Sequence, residues 1–165
     1  MIMRKLTLAM LILGLLSLAA CGGGEEGGAA ESMSPQDMGK AIVDIYMEGL
    51  TTIAGMADNP PPLEEAKATL AALKEDMITR LVEFGRIKEA MDASDKAAVN
   101  SALTSAFMHI DQNLFNKYND TLAHYRSQDM DFANEIASFN IITQYADFDL
   151  LKQQEPDEAA RLGIQ

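Results

Sequence analysis

Tryptophan is missing from this chain, histidine occurs twice and cysteine once. A single cysteine excludes an intramolecular disulfide, CxxC redox chemistry, four-cysteine zinc sites and CxxCH haem attachment. The two histidines, His109 and His124, fall on one predicted helix roughly 22 Å apart at 1.5 Å per residue, so they cannot share a metal within one chain. No nucleophile elbow, phosphate-cradling glycine loop or HExxH motif occurs. The residues three before the histidines are Ala106 and Thr121, which also removes the Glu-x-x-His pairs of di-iron bundles. These gaps point to a protein that is not an enzyme.

Basic residues are also scarce, 13 against 25 acidic ones for a net charge of −12. That balance argues against a nucleic-acid partner and against electrostatic adhesion to anionic headgroups, both of which need a basic face. Strand signals are missing as well: no run alternates apolar with polar residues, and no Asn-Gly or Asp-Gly hairpin turn appears. The pattern that remains is helical.

The N-terminus carries the most specific signal. Arg4 and Lys5 precede an apolar run from Leu6 to Leu16, the composition and length of a signal peptide and shorter than the ~20 residues of a membrane span. The run closes on Leu18-Ala19-Ala20-Cys21, which holds the lone cysteine. This stretch resembles the lipobox of bacterial lipoproteins. The resemblance implies diacylglyceryl transfer to the Cys21 thiol, cleavage that discards residues 1–20, and a mature N-terminus bearing two or three acyl chains. Each buried methylene contributes about 0.8 kcal/mol, so two or more chains anchor stably where one does not. An uncleaved anchor with Cys21 as a bystander is the competing reading, and it also exports the remaining chain.

Gly22 rather than Asp follows the cysteine. By the sorting rule of Gram-negative lipoproteins this implies the outer membrane, facing the periplasm, with exposure at the cell surface as a variant. In a Gram-positive cell the same sequence implies the outer side of the plasma membrane. Loss of the leader takes the net charge to about −14, a solubilising surface. Residues 21–35 then form a glycine-rich tether with a reach of about 20 Å, long enough to hold a domain clear of the headgroups.

Residues 36–152 read as one domain. Ser34 as cap, Pro35 at the first helical position and Asp37 in the first turn start a helix that runs to about Ala57, with Met38, Ile42, Ile45, Gly49, Ile53 and Met56 on one face. Pro60-Pro61-Pro62 ends it. A second helix over 63–91 carries Leu63, Ala66, Leu70, Leu73, Met77, Leu81, Phe84, Ile87 and Met91 near heptad spacing, with an Asp76–Arg80 pair on its outer face. A third and longest helix, capped by Asp92 or Ser94, is predicted to reach Ser127 along the stripe Val99, Leu103, Ala106, Ile110, Leu114, Tyr118, Leu122 and Tyr125. A fourth begins at Asp129 or Asp131 and includes Phe132, Ile136, Phe139, Ile142, Ala146 and Leu150. The predicted fold is all-α, a four-helix up-down-up-down bundle. Residues 153–165 form a polar tail with a short helix over 158–162 that Gly163 terminates.

Candidate functional residues are few. Phe107, Phe115 and Tyr118 widen the third helical stripe and make the candidate partner-binding face. His109, beside Met108, is the one candidate metal or haem ligand, although its place at the edge of the Ala106 to Ile110 stripe fits a satisfied side chain bordering the core better. His124 reads as solvated. Methionines such as Met38, Met47, Met56, Met77 and Met91 sit at core spacing and serve as gap-fillers. Asp129, Asp131 and Glu135 resemble the opening of a calcium loop, but Asn134 stands where glycine is required and Asn140 where glutamate is, so capping is the preferred role. No cofactor is expected.

The functional expectation is therefore a lipid-anchored, non-catalytic helical module that binds another cell-envelope component, an envelope protein, in an assembly or structural role. The alternative is a periplasmic carrier or sensor whose bundle holds a small ligand, haem or metal.

Overall fold

Ser34 caps the first helix as its sequence suggests. Its hydroxyl accepts a hydrogen bond from the Asp37 N–H at 3.2 Å, and Pro35 occupies the first helical position. The computed structural model describes residues 33–165. The leader, the lipobox with Cys21 and most of the tether lie outside the described residues.

Among the described residues the chain forms seven α-helices and one 3₁₀ segment, with no strand. They are α1 (Pro35–Gly55), α2 (Leu63–Glu89), α3 (Ala93–Phe107), α4 (Gln112–Arg126), α5 (Met130–Ala137), the 3₁₀ segment (Ser138–Ala146), α6 (Phe148–Gln154) and α7 (Pro156–Arg161). No helix among them is long and apolar enough to cross a membrane. The all-α expectation therefore holds, while the helices are more numerous than the four predicted.

α1 is the central element and packs against α2, α3 and α4. Its predicted stripe of Met38, Ile42, Ile45, Gly49, Ile53 and Met56 is buried throughout. Glycines allow the closest approaches. A Cβ on Gly39 would stand 2.6 Å from the Val99 carbonyl oxygen and 2.9 Å from the Leu103 nitrogen, so α1 and α3 meet there nearly backbone to backbone. Nearly three turns further on, Gly49 opens space for Met77 of α2 and Phe139 of the 3₁₀ segment. Buried hydrogen bonds fix the remaining registers: Thr121 donates to the Ile53 carbonyl at 2.9 Å and Tyr125 to the Pro61 carbonyl at 2.7 Å.

The predicted third helix is two helices. The last turn of α3 tightens, with the His109 and Ile110 N–H groups reaching back three residues to the Ala106 and Phe107 carbonyls. The His109 ring hydrogen-bonds the Ser105 carbonyl at 2.8 Å. Asp111 then caps a new helix by accepting from the Asn113 N–H at 2.9 Å. Ile110 and Phe115 flank that cap at the spacing of a hydrophobic staple, a start signal embedded in an otherwise continuous stripe. The predicted fourth helix divides too: Asp129 caps α5 through the Phe132 N–H, and Asp147 caps α6 through the Leu150 N–H.

The C-terminal tail docks. Ala159 and Ile164 are buried, and Gly163 adopts φ +70°. The Ile164 N–H bonds the Ala159 carbonyl at 2.9 Å and the Gly163 N–H bonds the Ala160 carbonyl at 3.1 Å. This is the Schellman arrangement, in which the glycine takes the left-handed position at no steric penalty and the next apolar residue folds back onto the helix.

Candidate functional site

The tail matters because α7 forms one wall of an open groove of about 480 Å³. Ala71, Lys74, Glu75 and Ile78 of α2 make the opposite wall, and the 3₁₀ segment makes the floor. With three residues per turn, a 3₁₀ helix stacks positions i, i+3 and i+6 in a single row. Ser138, Ile141 and Gln144 form that row and all three line the groove. Phe139, Ile142 and Tyr145 form the next row: Phe139 enters the core, while Ile142, also buried, and Tyr145 border the groove.

Ile141 leaves 45% of its surface exposed at the groove floor. Gln144, one turn on, is only 5% exposed, and its Oε1 has no hydrogen-bond partner among the described residues. A buried amide oxygen without a donor is costly, by about 1–3 kcal/mol, and such groups are uncommon in folded proteins.

The groove is acidic. Glu75, Glu135, Glu155 and Glu158 line it against Lys74 and Arg161. Glu158 is committed: Arg161 Nε and an Arg161 terminal nitrogen each donate to it at 2.8 Å, and the Tyr145 hydroxyl donates at 3.1 Å. The Arg161 hydrogen bonds hold the Glu158 carboxyl below its ordinary range. Burial, with the Glu158 carboxylate adding to it, pushes the Tyr145 phenol up to about 12. Lys74 donates to Ser138 Oγ at 3.4 Å and has no carboxylate within 4 Å among the described residues. Glu75, Glu135 and Glu155 have no ion-pair partner among the described residues. The groove thus combines three carboxylates without ion-pair partners and an exposed isoleucine, while the Gln144 oxygen is enclosed beneath it, on a side chain that also borders the neighbouring pocket.

The aromatic trio predicted as the binding face lies elsewhere and is not open surface. Tyr118 is 2% exposed, and its hydroxyl donates to the Ile136 carbonyl at 2.8 Å. Burial raises its phenol to about 12. Phe107 is half-buried and meets the Tyr46 ring edge-on at 5.0 Å, and Phe115 is half-buried against the core. The three residues knit α3 and α4 into the interior. The groove that replaces them was missed because its floor is a 3₁₀ segment, which a helical reading at 3.6 residues per turn scatters over several faces.

His109 is exposed rather than tucked against the core, with its ring tied to its own helix. It borders a second, shallower concavity with Lys40, Asp44 and Met47. His124 is exposed and pairs with the Gln128 amide at 2.8 Å. Neither histidine lines the acidic groove. Among the described residues no group of three or more His, Cys, Asp or Glu side chains is placed to hold a metal ion. Asp129 serves as a cap and as the ion-pair partner of Lys67 at 2.8 Å.

No protein-family model, curated protein or solved structure that was compared with the chain matches it. The functional reading therefore rests on the residues alone.

Proposed function

We propose that the protein is a membrane-anchored lipoprotein, held in the outer membrane through acylated Cys21, whose helical domain binds another envelope component in an assembly or structural role without catalysing a reaction. The observation that carries the binding reading is the acidic groove between α2, the 3₁₀ segment and α7, where an exposed Ile141 sits among unpaired carboxylates. A single exposed apolar side chain is ordinary on a monomer's surface; what supports the binding reading is its place in a concavity whose size is in the range of ligand and side-chain sites.

The finer architecture we infer is an up-down-up-down bundle whose third and fourth legs are each broken. Its support is the pairing of residues along the legs. Glu48 meets Arg80 and Asp58 meets Lys117, while Lys67, Lys74 and Lys88 meet Asp129, Ser138 and Asp147 in that order.

The test is the intact mass of protein extracted from its native membrane in mild detergent. The expected species begins at Cys21 and carries the mass of two or three acyl chains, and Cys21→Ser releases the protein from the membrane fraction. A species retaining residues 1–20, or an unmodified Cys21, contradicts the anchor.

A further inference from the structure

We infer that His109, Met47 and Met108 form a site for a soft monovalent metal ion, Cu(I), where α1 passes the end of α3. The site lies apart from the acidic groove and does not rest on the binding role proposed for it. His109 supplies the first observation. Its Nδ1 lies 2.8 Å from the Ser105 carbonyl oxygen. A carbonyl only accepts, so Nδ1 carries the hydrogen and the ring's other nitrogen, Nε2, holds the free lone pair of the neutral imidazole. A backbone carbonyl that fixes ring and tautomer in this way is the usual support behind a metal-ligating histidine. The residue is exposed, and Nε2 has no hydrogen-bond partner among the described residues.

Helix register supplies the second. Gly39 abuts Val99 and Leu103, and the Tyr46 and Phe107 rings meet at 5.0 Å, so α1 and α3 run parallel and in step. That step brings Met47 level with the last turn of α3, where it lines one concavity with His109. Met47 is half-buried, packed on one flank against the core and open on the other to that concavity. Met108, the residue before His109, is 80% exposed, and its unbranched side chain has the rotatable bonds to carry a thioether to Nε2. The cation of the concavity, Lys40, stands about 10 Å back along α1 from Met47 and is paired with Asp37 at 3.4 Å, while Asp44 lines the space between. Donor chemistry then selects the ion. Among the described residues no three His, Cys, Asp or Glu side chains come together, so the donor sets of zinc and calcium are missing here. One imidazole and two thioethers are a soft set, and thioether ligands select Cu(I). The ion is held by coordination alone, with no change in its oxidation state or in that of the sulfurs.

The experiment uses the full chain in detergent with Cys21→Ser, so that no thiol competes for the metal, labelled with ¹³C at the methionine methyls and ¹⁵N in the histidine rings. It is titrated without oxygen with Cu(I), and separately with Ag(I) as a redox-silent analogue. The expected result is saturable movement of the Met47 and Met108 methyl signals together with the His109 Nε2 signal. The buried Met38 and Met77 stay in place, and so does Met130, which is 55% exposed and serves as the control for exposure alone. His109→Ala weakens the affinity about tenfold or more. Met47→Leu and Met108→Leu, which keep the volume and remove the sulfur, each weaken it while the amide spectrum is otherwise unchanged, and Met130→Leu leaves it as it was. If no signal moves, if Met108 and Met130 move alike, or if His109 moves while Met47 and Met108 stay still, the inference is overturned. An affinity unchanged in His109→Ala overturns it as well.

Discussion

Lys88 is 7% exposed, and its ammonium donates to Asn100 Oδ1 and Asp147 Oδ2, both at 2.7 Å. Three elements meet at that nitrogen: α2 supplies the lysine, α3 the amide, and the start of α6 the carboxylate. Asp147 has a second duty, since its other oxygen caps α6 through the Leu150 N–H at 3.1 Å. Removing one member of a buried pair leaves the other uncompensated, and Asp147 is about a third exposed, so the loss falls at the lower end of that class. We expect Lys88→Ala to destabilise the fold by about 3 kcal/mol in a urea melt. Asp147→Asn keeps the cap and should cost less. It also tests a pH effect. Burial raises the Asp147 carboxyl, but the Lys88 and Leu150 hydrogen bonds and the charges of Lys88 and Lys96 outweigh it and hold the group below its ordinary range. A depressed carboxylate contributes stability above its unfolded value, and that contribution is lost as pH falls through the folded value. Stability should therefore decline below about pH 4, and less steeply in Asp147→Asn. At the other limb Tyr118 has the opposite sign. Its phenol is held near 12, so its contribution is complete below the unfolded value of about 10 and is lost as pH rises toward 12. Tyr118→Phe should flatten that alkaline decline while lowering stability at neutral pH by about 1–2 kcal/mol for the lost bond to Ile136.

At the scale of elements, helix propensity and packing pull in opposite directions at the glycines of α1. Alanine gains about 1 kcal/mol over glycine in a helix. At Gly55 nothing lies within 4 Å of the added methyl, and we expect Gly55→Ala to raise stability by about 0.5–1 kcal/mol. At Gly39 the methyl would meet backbone atoms of α3, which cannot rotate away. Overpacking of that kind outweighs the propensity gain, and Gly39→Ala should destabilise by about 1–3 kcal/mol. Thermal melts of the two variants read the contrast directly. The same elements show what a sequence carries. The α1 stripe, the triple-proline break and the Gly163 stop are local signals, and each appears in the structure where periodicity and capping rules put it. The split of the third helix is local too, written in Asp111 with Ile110 and Phe115 around it, but an uninterrupted apolar stripe ran through it and masked the cap. The 3₁₀ segment has no such signal. Its course depends on Phe139 entering the space left by Gly49, a contact between residues ninety positions apart, and so the groove built on it could not be read from spacing. Tyr118 was misplaced for a related reason: a tyrosine on a stripe can face outward or bury its hydroxyl, and the Ile136 carbonyl that decides the matter lies on another helix.

At the scale of the whole molecule, we propose that an acylated Cys21 and the glycine-rich stretch after it anchor a helical domain whose acidic groove is walled by its own C-terminal tail. Ending the chain after Glu155 would strip Ala159 and Ile164 from the core and should cost about 2–3 kcal/mol by the area they bury. The far-ultraviolet circular dichroism should stay helical, because the α1 to α4 core is untouched. The central claim is that the groove meets an envelope component while the protein sits in its membrane. It is tested most directly by placing a photo-crosslinking amino acid at Ile141 in cells, with Met130, an exposed apolar residue outside the groove, as the control position. The account predicts a discrete adduct from Ile141, weak or missing from Met130, and lost when Cys21→Ser releases the protein from the membrane. No adduct from Ile141, or the same adducts from both positions, would contradict it.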